Sequence, residues 1–156
     1  MAPEILRGKE YTKKSDIYSL GIIMNEIISI IPPFNDEPHD LQLALDICRG
    51  KRPKIRDETP EFLKELIQKC WDANPENRPS SEEVLNKIDT YENDHYVQIE
   101  LKKLPELTYN FTSITKSTSK TQLYEMHAQA IYTSRFLNLS NLPERLNQDT
   151  TDVDDE

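Results

Sequence analysis

The chain has 156 residues, a formal net charge of −9 and only three glycines, which leaves room for one domain of ordinary size and a tail. The acidic balance excludes nucleic acid and an anionic membrane surface as natural partners. Two cysteines and three histidines show no ligand spacing, so no metal site is expected; Cys48 and Cys70, each among apolar residues at helical spacing, are expected to be reduced and packed.

The opening MAPEILRGKE reads as a short extended lead-in, because Pro3 disfavours helix at Ala2. No basic segment followed by an apolar run stands there, so no secretory signal is read. A cytoplasmic location is expected, with the sequons at Asn110 and Asn138 as chance matches.

The first helix is expected to start at Ser15 as N-cap, with Asp16 favourable at the positive end of the helix dipole. Ile17, Leu20, Ile23, Met24, Ile27, Ile28 and Ile31 cover more than one stripe, the pattern of a central helix surrounded by others. Pro32-Pro33 should stop it. Asp16, Asn25 and Glu26 interrupt a run already too short to span a membrane.

A second helix is expected over about 40–49, with Leu41, Ala44, Leu45 and Cys48 on one side and Gly50 just past its end. KRPKI then reads as an extended connector. The third helix should begin at Thr59 as N-cap with Pro60 at the first helical position. Its buried face is Phe62, Leu63, Leu66, Ile67, Cys70 and Trp71. The fourth opens on Ser80 and Glu83, spaced as a capping box, with Val84, Leu85, Ile88 and Tyr91 on its apolar face.

Residues 92–156 read as a poorly ordered tail. TSITKSTSKT (112–121) has the composition of a linker, 121–134 admits an amphipathic helix through Leu123, Met126, Ala130 and Ile131, and 147–156 carries five acids and no base, as a disordered end does. A regulatory role for 112–156 is conceivable from its Ser/Thr cluster, but an unstructured extension is the expected state.

Ala2-Pro3-Glu4, then Asp16-Ile17-Tyr18-Ser19-Leu20-Gly21, then Cys70-Trp71-Asp72-Ala73-Asn74-Pro75-Glu76-Asn77-Arg78-Pro79 resembles, in order, the late half of a eukaryotic protein kinase domain. The Cys-Trp pair looks like the tyrosine-kinase-like branch, whose members mostly phosphorylate serine and threonine. The tail segment AIYTSRFLNLSNLPE looks like one shared by a large fungal set of such kinases. The resemblance implies a mainly α fold over 1–91: the helical C-terminal lobe of the kinase fold, incomplete, beginning at A-P-E.

It also implies roles for five residues. Glu4 is expected to pair with Arg78, tying the end of the activation segment to the helical lobe, and loss of one partner of such a buried pair costs ~3–5 kcal/mol. Asp16 resembles the aspartate that accepts backbone hydrogen bonds from the catalytic loop; as a first-turn acid it also needs no partner at all. Gly21 is expected to let another backbone approach the first helix closely, against ~1 kcal/mol of helix propensity. Trp71 is expected as a packed core aromatic.

Phosphoryl transfer requires a nucleotide cradle, metal ligands and a residue orienting the hydroxyl. The sequence contains no G-x-G, H-R-D or D-F-G, so no catalytic, cofactor-binding or metal residue is assigned; ATP and Mg²⁺ are implied only for a complete kinase. Two readings follow. Either the chain is part of a protein kinase, with Met1 internal and the missing N-terminal portion as its partner, or it is a non-catalytic module derived from such a lobe that binds other proteins. In both, the first helix carries more apolar surface than three later helices can cover, so 1–93 is expected to be marginally stable and any ordered tail to dock on the lobe.

Overall fold

The computed structural model describes residues 1–94, 96–99 and 124–133. Among these residues every regular element is helical and no strand occurs. The opening is not an extended lead-in throughout: only Ala2 is extended (φ −70°, ψ 149°), and helix α1, Pro3–Leu6, follows at once and is buried. Proline at the first helical position lacks only an N–H that would be unpaired there anyway.

Helix α2 runs Lys13–Ser29 and begins earlier than Ser15. Thr12 flanks it in extended conformation, its N–H donating to Ser15 Oγ at 3.3 Å. Ser15 lies inside the first turn, where its hydroxyl is free to donate to Glu4. At the far end Ile30 adopts φ 58°, so the helix stops ahead of Ile31. Pro32 disfavours helical backbone at Ile31, and the turn is made one residue sooner, in the left-handed region where a β-branched side chain is strained.

Helix α3, Leu41–Cys48, is capped by Asp40, whose Oδ1 accepts from the Leu43 N–H at 3.1 Å. Leu43 and Ala44 are its buried residues, while Leu41, expected inward, is exposed. Helix α4, Glu61–Cys70, starts one residue later than expected: Pro60 is the flanking residue, and Thr59 does not cap. Thr59 is buried instead, and its Oγ1 has no hydrogen-bond partner among the described residues. A 3₁₀ turn, Pro75–Asn77, precedes α5, Ser81–Asn93. The capping box on α5 is closed both ways, Glu83 N–H to Ser80 Oγ at 3.1 Å and Ser80 N–H to Glu83 Oε2 at 2.7 Å.

The core forms where α2 crosses α4. One cluster joins Ala2, Ile5, Tyr18, Ile67 and Trp71; a second joins Ile17, Leu66, Cys70 and Val84. Both cysteines are free. Helix α2 is central but not surrounded. Its buried stripe is Ser15, Tyr18, Gly21, Asn25 and Ser29, with Ile17 beside it, whereas Ile23 and Ile27 are 51% and 66% exposed. On α5 only Val84 is buried, and Leu85 and Ile88 face solvent. Nothing among the described residues lies across from them to bury them. No helix among the described residues is long and apolar enough to cross a membrane.

The helix read over 121–134 is corrected where it is described. Residues 124–133 form an irregular strap of bends and one turn, docked on the loop between α2 and α3. The His127 N–H donates to Asn35 O at 2.7 Å, and the His39 N–H donates to Gln129 O at 3.0 Å. Backbone groups spent on the loop cannot also close helical turns. The linker 112–121 and the acidic end 147–156 lie outside the described residues.

The crossing of α2 and α4 is set by Gly21. A Cβ there would meet Cys70 Cβ at 2.9 Å and Ile67 O at 3.3 Å. Gly21→Ala should therefore destabilise the chain by ~1–3 kcal/mol despite alanine's better helix propensity, while Ser19→Ala on the exposed side of α2 should stay within ~0.5 kcal/mol. Urea unfolding midpoints of the two variants check this, and equal midpoints would refute it.

Candidate functional site

Glu4 sits on α1 and Arg78 just beyond the 3₁₀ turn, 74 positions apart in sequence. They meet fork to fork: Nη1 donates to Oε1 at 2.7 Å and Nη2 to Oε2 at 2.8 Å. Two further donors are engaged, Nη1 with Lys14 O at 2.9 Å and Nε with Asp72 O at 2.9 Å. Ser15 Oγ donates to Glu4 Oε1 at 3.0 Å, and the Lys14 ammonium reaches back to the Arg78 carbonyl. Arg78 is 1% exposed and Glu4 7%. A buried ion pair is tolerated when its lone pairs and protons are satisfied in this way.

Beneath the pair lies the ring of Tyr18, with Arg78 Cζ 5.0 Å and Arg52 Cζ 5.1 Å from its centroid. Arg52 Nε donates to Trp71 O at 2.8 Å and Nη1 to Ile47 O at 3.0 Å, so it links the ends of α3 and α4. Sequence reasoning passed over Arg52, reading KRPKI only as a connector. No local signal marks an arginine whose acceptors are main-chain carbonyls of other elements.

The other residues singled out in the sequence lie apart from this pair. Asp16 is exposed on the first turn of α2, and no described residue bonds its carboxylate. Gly21 is at the α2–α4 crossing, and Trp71 ends α4 in the first core cluster. Among the described residues no three His, Cys, Asp or Glu side chains gather as a metal would require. The arrangement is a structural clasp: its charges are consumed by each other and by carbonyls, leaving no nucleophile–base pair within it.

Burial pushes the Glu4 carboxyl up, but the Arg78 hydrogen bonds, a backbone hydrogen bond, the Arg78 charge and the Ser15 hydroxyl outweigh it, and the group is held below its ordinary range. Burial also raises the Tyr18 phenol and lifts the Cys70 thiol to about 11.

Arg78→Ala would leave Glu4 buried and unpaired, and should cost ~3–5 kcal/mol. Arg49, whose side chain is 67% exposed, is the comparison: Arg49→Ala should stay within ~0.5 kcal/mol. Arg56 is half-buried and donates to Ser29 O at 3.4 Å, so it is the poorer control. Because the folded carboxyl of Glu4 lies below its unfolded value of ~4.3, its stabilisation is present above that pH and is lost as pH falls through the folded value. Urea titrations at pH 7 and along the acid limb should show that loss, and Arg78→Ala should flatten it. An unchanged acid limb in that variant would contradict the pairing.

Residues 1–88 match the family described as protein tyrosine and serine/threonine kinase. The dual specificity protein kinase shkA of Dictyostelium discoideum is 41% identical over 90 residues, 57% of this chain and 17% of that protein. A putative serine/threonine-protein kinase/receptor of Acanthamoeba polyphaga mimivirus is 40% identical over 84 residues, 54% of this chain and 5% of that protein. The serine/threonine-protein kinase VIK of Arabidopsis thaliana is 39% identical over 103 residues, 62% of this chain and 23% of that protein. The chain thus spans less than a quarter of the length of each of these relatives. With its match running over residues 1–88 of 156, the chain belongs to the protein tyrosine and serine/threonine kinase family.

Proposed function

We propose that the chain is the helical C-terminal-lobe portion of an ATP-dependent protein kinase of the tyrosine-kinase-like branch, acting on serine and threonine in its complete form, and that it transfers no phosphate by itself. The observation that carries this reading is the buried Glu4–Arg78 fork, which joins the A-P-E glutamate to the late arginine of N-P-x-x-R-P. The relatives named as serine/threonine or dual specificity kinases support the substrate class. The Cys70-Trp71 pair supports the branch, and the resemblance of AIYTSRFLNLSNLPE supports a fungal lineage. The complete kinase would work in the cytoplasm.

The residues present do not fit ATP with Mg²⁺. The sequence lacks G-x-G, H-R-D and D-F-G, and among the described residues no three His, Cys, Asp or Glu side chains gather as metal ligands would. The partner implied is the rest of the kinase domain, and the acidic balance argues against nucleic acid and an anionic membrane. A second reading, a non-catalytic protein-binding module, draws on the exposed Ile23 and Ile27 of α2, an apolar face that another protein could cover. An in-frame upstream coding sequence carrying the strand lysine, H-R-D and D-F-G would favour the first reading; a discrete transcript starting at Met1 would favour the second.

The purified chain should show no saturable heat on titration with ATP and Mg²⁺ and no phosphate transfer to generic protein substrates. Micromolar ATP binding by calorimetry would overturn the proposal that the chain alone is inactive.

A further inference from the structure

The strap 124–133 is held to the lobe at few points, which gather around Asn35, His39 and Tyr132. Tyr132 Oη donates to Pro33 O at 3.0 Å, and its ring meets His39 edge-on at 4.8 Å between centroids. His39 in turn spans the two segments, with Nδ1 2.9 Å from Ile131 O and Nε2 3.1 Å from Phe34 O. Asn35 Nδ2 donates to Glu125 O at 2.7 Å. Only Ala130 of the strap is fully buried, so the strap rests on these polar contacts rather than on apolar burial.

The charges that bear on the Tyr132 phenol are acidic, although the His39 ring lies beside it. Burial first, then the charges of Glu26 and Asp36 together with Tyr124, push its phenol up to about 12. The groove that Ile131, Tyr132 and Thr133 border has a volume of about 510 Å³ and no lysine or arginine in its lining. A neutral hydroxyl suits that place; an anion does not. The strap is also readable by an enzyme, since it has neither helix nor strand and Tyr132 is 45% exposed.

We propose that Tyr132 is a phosphorylation site and that its modification releases the strap from the α2–α3 loop. In the step, the phenolic oxygen attacks the terminal phosphorus of ATP held by a tyrosine-modifying protein kinase. The new O–P bond forms as the bond to the ADP oxygen breaks, and the phenolic proton passes to that enzyme's base and then to water. Three effects act together on the product. The donor to Pro33 O is gone, a group carrying about −1.5 to −2 charges at pH 7 replaces it, and Glu26 and Asp36 repel that group with no lysine or arginine of the groove to receive it. Release would uncover the groove wall formed by Leu43, Ala44 and Ile47.

The test uses the full chain. It is incubated with ATP, Mg²⁺ and a broad-specificity tyrosine kinase, and the modified tyrosines are mapped by mass spectrometry, with exposed Tyr11 and Tyr96 as internal comparisons. Hydrogen exchange at the His39 and His127 amides is then measured in chain carrying phosphotyrosine placed at 132 by genetic encoding, in Tyr132→Phe, and in unmodified chain. The expected result is phosphate on Tyr132 and exchange at both amides at least about tenfold faster than in unmodified chain, clearly exceeding the change in Tyr132→Phe. Phosphate on Tyr11 and Tyr96 with none on Tyr132 would overturn the proposal. So would exchange in the phosphotyrosine chain no faster than in Tyr132→Phe, because the added charge would then have no effect.

Discussion

The bidentate pair between Glu4 and Arg78 is the constraint on which the rest of this structure depends. Desolvating two ions costs more than their attraction returns unless further hydrogen bonds support them, and here Ser15, the Lys14 carbonyl and the Asp72 carbonyl supply three. Those partners come from two stretches of chain, the first turn of α2 and the segment just after α4, so the pair joins both to α1. It places α1 against the start of α2 and fixes the turn ahead of α5. The stacking of Arg78 and Arg52 near Tyr18 extends the same constraint to the ends of α3 and α4. The energetic return of such a pair is modest; its value is specificity of arrangement.

The second determinant is the absence of a side chain. Gly21 allows α4 to approach α2 until Cys70 Cβ would touch an added methyl, and this close contact shapes both core clusters. Besides Ile17 and Tyr18, the residues that α2 buries are small or polar, Ser15, Gly21, Asn25 and Ser29, while two of its isoleucines face outward. Asn25 shows the tension: Nδ2 donates to Lys54 O at 3.3 Å, and Oδ1 has no partner among the described residues. A helix with an inward polar stripe and an outward apolar face is the shape expected of an element that has neighbours on both sides in a larger body. That shape, with a match confined to less than a quarter of each relative named, is why the kinase reading treats this chain as one part of a lobe.

The strap shows a different economy. It adds little apolar burial, and its main-chain and side-chain hydrogen bonds go to the loop that links α2 and α3. Contacts of that kind open at low cost compared with the α2–α4 core, where Leu66, Ile67 and Cys70 are wholly inaccessible. The chain therefore combines a core fixed by sterics and charge with a peripheral segment held by a few polar contacts around His39 and Tyr132.

What the sequence by itself determined were features set within a turn or two of chain. The Ser80–Glu83 capping box, the approximate span of α3, the periodicity of α4 and the glycine for close approach were all readable, because caps and periods act over three to four residues. Tertiary structure decided the rest. Ser15 was read as a cap because it precedes an apolar run, and it became instead a donor to a buried carboxylate. Thr59 carried a capping signal and ended buried, its hydroxyl without a partner among the described residues, with Pro60 taking the flanking position of α4. Ile23, Ile27, Leu85 and Ile88 counted as core by pattern and lie exposed, since burial depends on what stands opposite and not on period. Residues 124–133 had an amphipathic spacing, yet their backbone groups found partners on another segment before they found each other. Local chemistry fixed roughly where α2 to α5 lie, though not α1; only the contacts between the helices fixed which of their faces are inside.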